Sequence, residues 1–270
     1  MDLIVDFQNA VFVTGNFPLL TGVTMSVGRG EIVHLKGANG SGKTSLLRAI
    51  VGLIPIASGK AVVLGHDLNM DRFSVREEAA LLGHKTFLYD DLSIYENLRF
   101  VQRIFRKPKK VVGLCMSQVG IGEKLAKTKV SHLSAGQRKR TSLAALLIKE
   151  ASLWLLDEPH AGVDEDGRAL IDGLITDFRL RGGTVLMASH ELERAVLVSD
   201  KSFTVSGGAV TDEENYKLGN KTASTLSLPG GDFYSRSANG VFSVSSPGSG
   251  VKAVFGGQTG PTGTGNTDVA

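Results

Sequence analysis

A glycine-rich stretch between a largely apolar run and a helical repeat constrains this chain most strongly. Residues 37–45 read Gly-Ala-Asn-Gly-Ser-Gly-Lys-Thr-Ser and fit the spacing G-x-x-x-x-G-K-[ST]. Residues 31–35 before it predict a strand, and apolar residues at helical spacing follow over 46–51. On the spacing alone, a glycine-rich turn before an ordinary helix stays open. The order of strand, loop and helix favours a phosphate-binding loop.

Anion capture explains why such a site needs these residue types. Glycines let the backbone approach phosphates closely, and the N-terminus of the following helix adds positive potential. We expect Lys43 to reach the β- and γ-phosphates of a nucleotide and the Thr44 hydroxyl to ligate Mg²⁺. The predicted nucleotide-binding residues of the loop are Gly37, Ala38, Asn39, Gly40, Ser41, Gly42, Lys43, Thr44 and Ser45.

Composition narrows the class of protein. The 270 residues suit one large domain, or one domain with a tail, and the formal net charge of +3 does not by itself indicate a nucleic-acid partner. The single cysteine, Cys115, excludes an internal disulfide, and its apolar neighbours predict a buried structural thiol. No apolar run approaches the roughly 20 residues of a membrane helix, so any membrane-spanning part is expected on another chain. The N-terminus lacks the pattern of a secretory signal.

The order of predicted elements indicates an α/β fold. Strands are predicted at 3–7, 11–13, 23–27, 61–64, 80–82, 152–156, 184–188 and 202–205, and helices after the glycine loop and at 94–105, 166–181 and 191–198. The strand at 152–156 is fully apolar, as strands buried in parallel sheets are. Alternating strands and helices of this kind predict a three-layer core.

Two stretches leave alternatives open. The basic run at 106–110 predicts a solvated turn between helices, with lipid headgroups or RNA as the alternative contact. From about residue 209 the composition changes, and Gly, Ser, Thr and Asn dominate. Such a segment has too few apolar residues to build a core, so we predict a flexible tail over 209–270, with an added β module as the alternative.

Further motifs follow the glycine loop in a fixed order. They are Leu133-Ser134-Ala135-Gly136-Gln137 at the start of a helix, Asp157-Glu158-Pro159 at the end of the apolar strand, Ala161-Gly162-Val163-Asp164, and Ala188-Ser189-His190-Glu191. With these motifs, residues 1 to about 208 resemble the nucleotide-binding subunit of ATP-binding-cassette (ABC) systems. The resemblance implies a phosphate-loop ATPase fold with an antiparallel β subdomain and a helical subdomain at about 88–149.

The resemblance also implies a role for each motif. Asp157 would hold the Mg²⁺ shell, Glu158 would act as the general base, and His190 would contact the γ-phosphate. Ser134, Gly136 and Gln137 would bind the γ-phosphate of ATP held by a second subunit, and Asp164 would lie at the same interface. A homodimer that holds two ATP molecules is therefore expected.

Two positions depart from the pattern of the family. Most members carry a glutamine where this chain has His84, whose imidazole can still approach Mg²⁺ or the attacking water, so we keep it as a candidate catalytic residue. The aromatic residue that usually stacks on adenine is also missing from its place, which Thr14 occupies. Phe12 and Phe17 are the candidates to replace it.

Several details resemble the haem-exporter branch of the family, which serves cytochrome c maturation. They are Gly42-Lys43-Thr44-Ser45-Leu46-Leu47-Arg48, Leu82-Gly83-His84, and Leu153-Trp154-Leu155-Leu156-Asp157-Glu158-Pro159. This resemblance implies a CcmB-like integral-membrane permease as partner and a peripheral place on the cytoplasmic face of the cell membrane. Nucleic acid is not expected as a partner. An ABC ATPase for another cargo, such as a lipid, drug or metal complex, and one that works without a permease stay open.

Overall fold

The computed structural model describes residues 2–15, 17–83, 86–190 and 199–212, together with short strands between 224 and 255. The strands are β1 (Leu3–Thr14), β2 (Phe17–Gly28), β3 (Ile32–Lys36), β4 (Ile56–Val63), β5 (His66–Asp67), β6 (Ala79–Leu82), β7 (Leu153–Asp157), β8 (Thr184–Ala188), β9 (Lys201–Ser206) and β10 (Ala209–Asp212). The helices are α1 (Lys43–Ile50), α2 (Arg72–Glu78), α3 (Ile94–Ile104), α4 (Lys110–Gln118), α5 (Glu123–Ala126), α6 (Ala135–Lys149) and α7 (Glu165–Leu180), with a 3₁₀ turn at Val130–His132. No helix in these described stretches is both long enough and apolar enough to cross a membrane.

A six-stranded sheet forms the centre of the first compact unit, Met1–Tyr216. Its order is β10-β9-β3-β8-β7-β6, and its pairs are parallel except for the antiparallel edge strand β10. Parallel strands need crossover connections, which the helices between them supply. The ends of β3, β7 and β8 therefore meet at one edge of the sheet, and the predicted motifs follow these strands.

Side chains from the two faces of this sheet enter two separate cores, as alternation along a strand requires. On β7, Trp154 and Leu156 pack in one core with the helices α3, α4, α6 and α7, while Leu153 and Leu155 pack in the other with α1 and the N-terminal strands. Trp154 stacks on Phe178 of α7 with 3.9 Å between ring centroids. The prediction of a three-layer α/β core is confirmed.

An antiparallel sheet with the order β2-β1-β4-β5 forms the outer layer on the α1 side. The two strands predicted at 3–7 and 11–13 are one continuous strand, β1, which shifts register between Phe7 and Ala10. Asn9 in that irregularity has a φ of 49°. A β-bulge lets a strand bend without ending. In the sequence, a break in the alternation of apolar residues looks the same for a bulge as for a turn, so one strand was predicted as two.

The helical elements bring one confirmation and one correction. The basic run at 106–110 lies in the turn between α3 and α4, as predicted, and Lys107 pairs with Glu150. Helix α2 was not predicted; Asp71 caps it by accepting a hydrogen bond from the Ser74 backbone N–H at 3.0 Å. The predicted helix at 191–198 lies outside the described residues.

Cys115 is buried, as predicted, and burial raises the pKa of its thiol to about 11.

The prediction of a flexible tail over 209–270 needs two corrections. Residues 209–212 form β10, which pairs with β9 and so belongs to the first unit. The second unit, Lys217–Ala270, contains a four-stranded antiparallel sheet of β11 (Ser224–Ser227), β12 (Phe233–Arg236), β13 (Phe242–Ser246) and β14 (Gly250–Phe255). Apolar residues alternate along β13 at Phe242 and Val244 and along β14 at Val251 and Phe255, and a reading based on the overall composition of the segment does not detect this pattern. The alternative of an added β module stays a prediction for this segment.

Candidate active site

The glycine loop joins β3 to α1 and folds tightly. Gly37 has a φ of 145°, and a Cβ added there would lie 2.3 Å from the Val205 carbonyl oxygen. Gly42 caps α1 with a φ of 111° and has no side chain to satisfy the first N–H groups of the helix. These N–H groups therefore stay available to an anion, as the sequence pattern predicts.

The Lys43 side chain folds back onto the start of the glycine loop. Its side chain is largely buried, and Nζ donates hydrogen bonds to the carbonyl oxygens of Gly37 at 2.7 Å and Ala38 at 2.9 Å. The Ser41 hydroxyl is buried and has no hydrogen-bond partner among the described residues. Buried polar atoms normally have partners, so the unsatisfied Ser41 hydroxyl in this loop indicates a place for a polar ligand.

Thr44 and Asp157 meet at the mouth of the loop. The Thr44 hydroxyl, at the start of α1, donates a hydrogen bond to Asp157 Oδ2 at 2.8 Å, and Asp157 ends the buried strand β7. No cluster of three or more metal-ligating His, Cys, Asp or Glu side chains occurs in the part of the chain that the structure describes. Mg²⁺ is typically held by one or two carboxylates together with substrate phosphates, and a hydroxyl beside one carboxylate fits that donor set.

Glu158 follows Asp157 in an unusual backbone conformation. Its φ of 49° is in the left-handed region, which costs a non-glycine residue about 1–3 kcal/mol. The Glu158 backbone N–H donates to the Ala188 carbonyl oxygen at 2.9 Å, which ties the end of β7 to the end of β8. Conformations of this kind concentrate at functional sites, because the surrounding structure has to enforce them.

His190 follows β8 and contacts Glu158 through both its backbone and its ring. The backbone N–H of His190 donates to Glu158 Oε2 at 3.3 Å, and His190 Nε2 lies 3.3 Å from Glu158 Oε1. Glu158 Oε1 is buried, and apart from this contact with the His190 ring it has no hydrogen-bond partner among the described residues. This oxygen can accept a hydrogen bond from a bound water molecule.

These groups line one cleft of about 330 Å³. Its described lining consists of Asn39, Gly40, Gly42, Lys43, Thr44, Ser45, Asp157, Glu158 and His190. The glycine loop, the Asp-Glu pair and the histidine are far apart in the sequence, and the parallel sheet brings them together. Predicted residues Gly37, Ala38 and Ser41 belong to the same loop, and the first two accept the hydrogen bonds from Lys43.

The signature residues 133–137 do not occur among the described residues that line this cleft. They open α6, where Ser134 is exposed and its hydroxyl accepts a hydrogen bond from the Gln137 backbone N–H at 3.2 Å. The Gln137 side chain accepts in return from the Ser134 backbone N–H at 3.0 Å. A Cβ added to Gly136 would lie 3.8 Å from the Gly162 carbonyl oxygen, so the signature packs beside the 161–164 turn.

Asp164 has a local role that the sequence analysis missed. Its side chain is 75% exposed, and Oδ1 accepts a hydrogen bond from the Gly167 backbone N–H at 2.9 Å as the cap of α7. Arg140 of α6 lies 3.8 Å from the same oxygen. The signature and Asp164 are the two elements predicted to contact a second subunit. Ser134 and Asp164 are exposed, and the turn that carries Asp164 packs beside the signature.

The structure decides part of the adenine question. Phe12 is completely buried in the core against Phe7, so it cannot stack on a base. Phe17 is 77% exposed at the start of β2 and remains the candidate. His84 lies outside the described residues.

Sequence reasoning also missed a buried lysine and a buried histidine–aspartate contact beside the site. Lys139 of α6 donates to the Glu158 carbonyl oxygen at 3.0 Å, and His160 Nε2 lies 2.9 Å from Asp172 Oδ1 of α7. In the sequence, Lys139 stands in a basic run that predicts exposure, and a lone histidine after a motif carries no signal of its own. The distances depend on how α6 and α7 pack against the sheet.

A glycine loop on β3, an Asp-Glu pair on β7 and a histidine after β8 define the class of protein as a phosphate-loop nucleoside triphosphatase. The family model for ABC transporters matches residues 20–161. The chain belongs to the ABC transporter family, as an ATP-binding subunit that hydrolyses ATP.

Curated relatives share most of the first unit. The chain is 36% identical over 172 residues to the cytochrome c biogenesis ATP-binding export protein CcmA of Yersinia pseudotuberculosis, an alignment that covers 63% of this chain and 78% of that protein. It is 38% identical over 178 residues to the protein of the same name from Rhodopseudomonas palustris, covering 66% of this chain and 87% of the relative.

Solved structures share the fold. The structure of cbiO1 from Clostridium perfringens, part of the ABC transporter complex cbiONQ, matches with a TM-score of 0.68 and 26% identity, covering 78% of this chain and 88% of that one. The dimeric post-hydrolysis state of the ATP-binding cassette MJ0796, bound to ADP and Pi, matches with a TM-score of 0.70 and 21% identity, covering 78% of this chain and 100% of that one. At that identity the second likeness supports the fold alone.

Proposed function

We propose that this subunit powers a membrane permease that exports or handles haem in cytochrome c maturation. The observation that carries the enzymatic part is the buried Oε1 of Glu158, which lies 3.3 Å from His190 Nε2 in the cleft that Lys43, Thr44 and Asp157 line. The cargo rests on the CcmA relatives, which are named as cytochrome c biogenesis ATP-binding export proteins and are 36% and 38% identical to this chain.

The proposed chemistry assigns each residue one task. The loop N–H groups and Lys43 bind the β- and γ-phosphates, and Thr44 with Asp157 would hold Mg²⁺, which would neutralise charge on the phosphate oxygens. Glu158 Oε1 accepts a hydrogen bond from the attacking water and takes its proton as the new bond to the γ-phosphorus forms. The bond to the bridging oxygen breaks, and ADP leaves. His190, which donates its backbone N–H to Glu158, is proposed to contact the γ-phosphate.

The placement of the signature supports a homodimer. Ser134, Gly136 and Gln137 open α6 away from the cleft of their own chain, while Asp164 is exposed beside them. We infer that this surface covers the ATP held by a second subunit, whose γ-phosphate meets the N-terminus of α6. ATP then favours the closed dimer because it contacts both chains only in that state.

An exposed aromatic surface supports a protein partner. Phe87 is 79% exposed, Tyr89 is 54% exposed, and Phe100 of α3 is 43% exposed, and they line one groove of about 310 Å³. Tyr89 and Phe100 meet edge to face with ring centroids 5.3 Å apart. Contiguous apolar surface of this kind marks protein contacts. We propose that the permease covers this surface, and the subunit would then bind peripherally at the cytoplasmic face of the membrane.

Glu158→Gln tests the proposed base. The amide keeps the size of the side chain but cannot take a proton, so ATP binding should be retained while kcat falls by roughly a hundredfold or more. The variant should accumulate as an ATP-bound dimer, measured by size-exclusion chromatography with and without ATP. Glu123→Gln, on the exposed start of α5, is the control and should hydrolyse ATP like the wild type. Turnover near the wild-type rate in Glu158→Gln would remove Glu158 as the base.

The partner and cargo need a separate experiment. Gentle purification from membranes, followed by mass spectrometry and haem analysis, should recover a small multi-helix permease together with cytochrome c maturation proteins. Recovery with a different permease would keep the ATPase mechanism and contradict the haem cargo. Recovery without any membrane protein would contradict the permease partner.

A further inference from the structure

Lys139 is a buried charge whose position no signature motif explains. It belongs to α6 and is only 8% exposed, although lysine is among the side chains least often buried. Its Nζ donates a hydrogen bond to the main-chain carbonyl oxygen of Glu158 at 3.0 Å. The side chain therefore reaches from the signature helix to the peptide that carries the proposed base.

Burial disfavours the positive charge of Lys139, and the neighbouring carboxylates favour it. Burial lowers the pKa of Lys139, and the neighbouring carboxylates of Asp157 and Glu158 act in the opposite direction. An ammonium group is costly to bury unless it is paired and hydrogen-bonded. The two acidic residues and the carbonyl oxygen offset part of this cost, although burial remains the larger effect on the pKa of Lys139.

The Glu158 peptide needs such support, because its backbone has a φ of 49°. Its carbonyl oxygen accepts hydrogen bonds from Lys139 Nζ and from the Ala161 backbone N–H, the latter at 3.2 Å. Its N–H donates to Ala188. Two hydrogen bonds on one side of the residue and one on the other hold the backbone from which the carboxylate extends.

The helix that carries Lys139 also reaches the second nucleotide. Ser134 caps α6 five residues before Lys139, about 7.5 Å along the helix axis. Arg140, the next residue, lies 3.8 Å from Asp164 Oδ1. One rigid helix thus joins the proposed contact to the ATP of the partner with the base that serves the chain's own ATP.

We propose that Lys139 is a positioning residue that holds Glu158 in place and links it to the helix that meets the ATP of the other subunit. The inference rests on the proposed dimer and on Glu158 as the base. It implies that a shift of α6 when the other site binds ATP is passed to the peptide of Glu158. The coupling runs within one chain, from its signature to its own base.

Lys139→Met tests the contact, since methionine is apolar and of similar length and removes both the charge and the N–H donors. We expect kcat to fall about tenfold or more, with the Kd for ATP changed by less than about twofold. Lys139→Arg, which keeps a charge and donors, should recover part of that loss. If Lys139→Met does not fold, Lys139→Gln replaces it with the same expected split between kcat and Kd.

Lys149→Met is a matched control on the same helix. Lys149 is also partly buried and also donates to main-chain carbonyl oxygens, those of Arg76 and Ala79. A merely structural contribution would make the two methionine variants alike in thermal unfolding and in kcat. We expect only Lys139→Met to lose kcat. Equal losses in both variants, or kcat within about twofold of wild type in folded Lys139→Met, would overturn the inference.

Mixed dimers locate the effect. In one, a Lys139→Met chain pairs with a Glu158→Gln chain. The only remaining Glu158 then belongs to the chain without Lys139, so turnover should fall below that of a dimer of wild type and Glu158→Gln. In the other, both substitutions are in the same chain and the wild-type chain hydrolyses ATP, so turnover should match a dimer of wild type and Glu158→Gln. Equal loss in both arrangements would contradict positioning within the chain. Failure of Glu158→Gln to reduce turnover, or failure to dimerise, would instead contradict the proposed function.

Discussion

Burial of single charged residues shapes this molecule at the residue scale. Lys139 and Lys149 lie on the same helix, and burial lowers the pKa of both. At Lys149 the pKa falls to about 8, although the Glu77 carboxylate acts against the shift. Its Nζ donates to the carbonyl oxygens of Arg76 at 2.5 Å and Ala79 at 2.6 Å, which joins the end of α6 to the start of β6.

The depressed pKa of Lys149 predicts a dependence of stability on pH. The folded chain loses the lysine proton near pH 8, whereas the unfolded chain keeps it up to the ordinary lysine pKa of 10.5. Between these values the unfolded state binds more protons, so the free energy of unfolding should rise with pH. Chemical denaturation of wild type and Lys149→Met from about pH 7 to 10 measures this, because other groups cancel in the difference. A difference that does not change over this range would contradict the shift.

Two helix caps with the same geometry have different consequences at the element scale. Ser93 caps α3 and Ser134 caps α6, and each forms a reciprocal capping box with the residue three positions on. The sequence pattern of a capping box is the same in both places. Only the cap of α6 lies in the signature, so stability and function can be separated by comparing the two.

Ser134→Ala and Ser93→Ala should each lower the free energy of unfolding by about 1 kcal/mol, because each removes the cap hydrogen bond from the backbone N–H three positions on. Ser93→Ala also removes the hydrogen bond that the Ser93 hydroxyl donates to Glu96 Oε2. Only Ser134→Ala should also weaken ATP-dependent dimerisation, since its hydroxyl is proposed to meet the γ-phosphate of the partner's ATP. Denaturant melts and size-exclusion chromatography with ATP measure the two effects. If both variants dimerise equally well, Ser134 is a structural cap alone.

Element prediction succeeded where local pattern and tertiary environment agree. The strand at 184–188 and the helix at 94–105 are close to β8 and α3, because apolar spacing there reflects burial directly. It did not succeed for α2, a short helix with a single buried residue, Val75. Two turns of helix carry too few apolar positions for a periodic signal, so only the Asp71 cap could have indicated it.

The whole molecule divides differently from the predicted boundary near residue 208. Strand β10 extends the central sheet as its edge, and the Gly208 carbonyl oxygen accepts a hydrogen bond from the Thr21 backbone N–H at 3.0 Å. The division between compact units lies at Tyr216 and Lys217. Strand β10 has only four residues, which is too few for its sequence pattern to distinguish an edge strand from a tail.

Two truncations test this boundary. A chain ending at residue 216 should fold and hydrolyse ATP like the full chain, because the described site and the central sheet lie before it. A chain ending at residue 208 should unfold at lower temperature, since it loses β10 and the packing of Val210 against the core. Thermal melts and ATPase rates of both chains measure the difference. Equal stability of the two would show that β10 contributes nothing to the unit.

Local sequence requirements identify the chemistry of this protein, and packing between distant elements sets its geometry. The glycine loop, the Asp157-Glu158 pair and the signature are recognisable because each needs particular residue types at fixed spacing within one turn or helix end. The left-handed backbone of Glu158, the burial of Phe12 and the reach of Lys139 to a main-chain carbonyl depend on packing between elements far apart in the chain. Spacing along the sequence records local requirements, whereas distances across a core arise only when helices and sheet pack together.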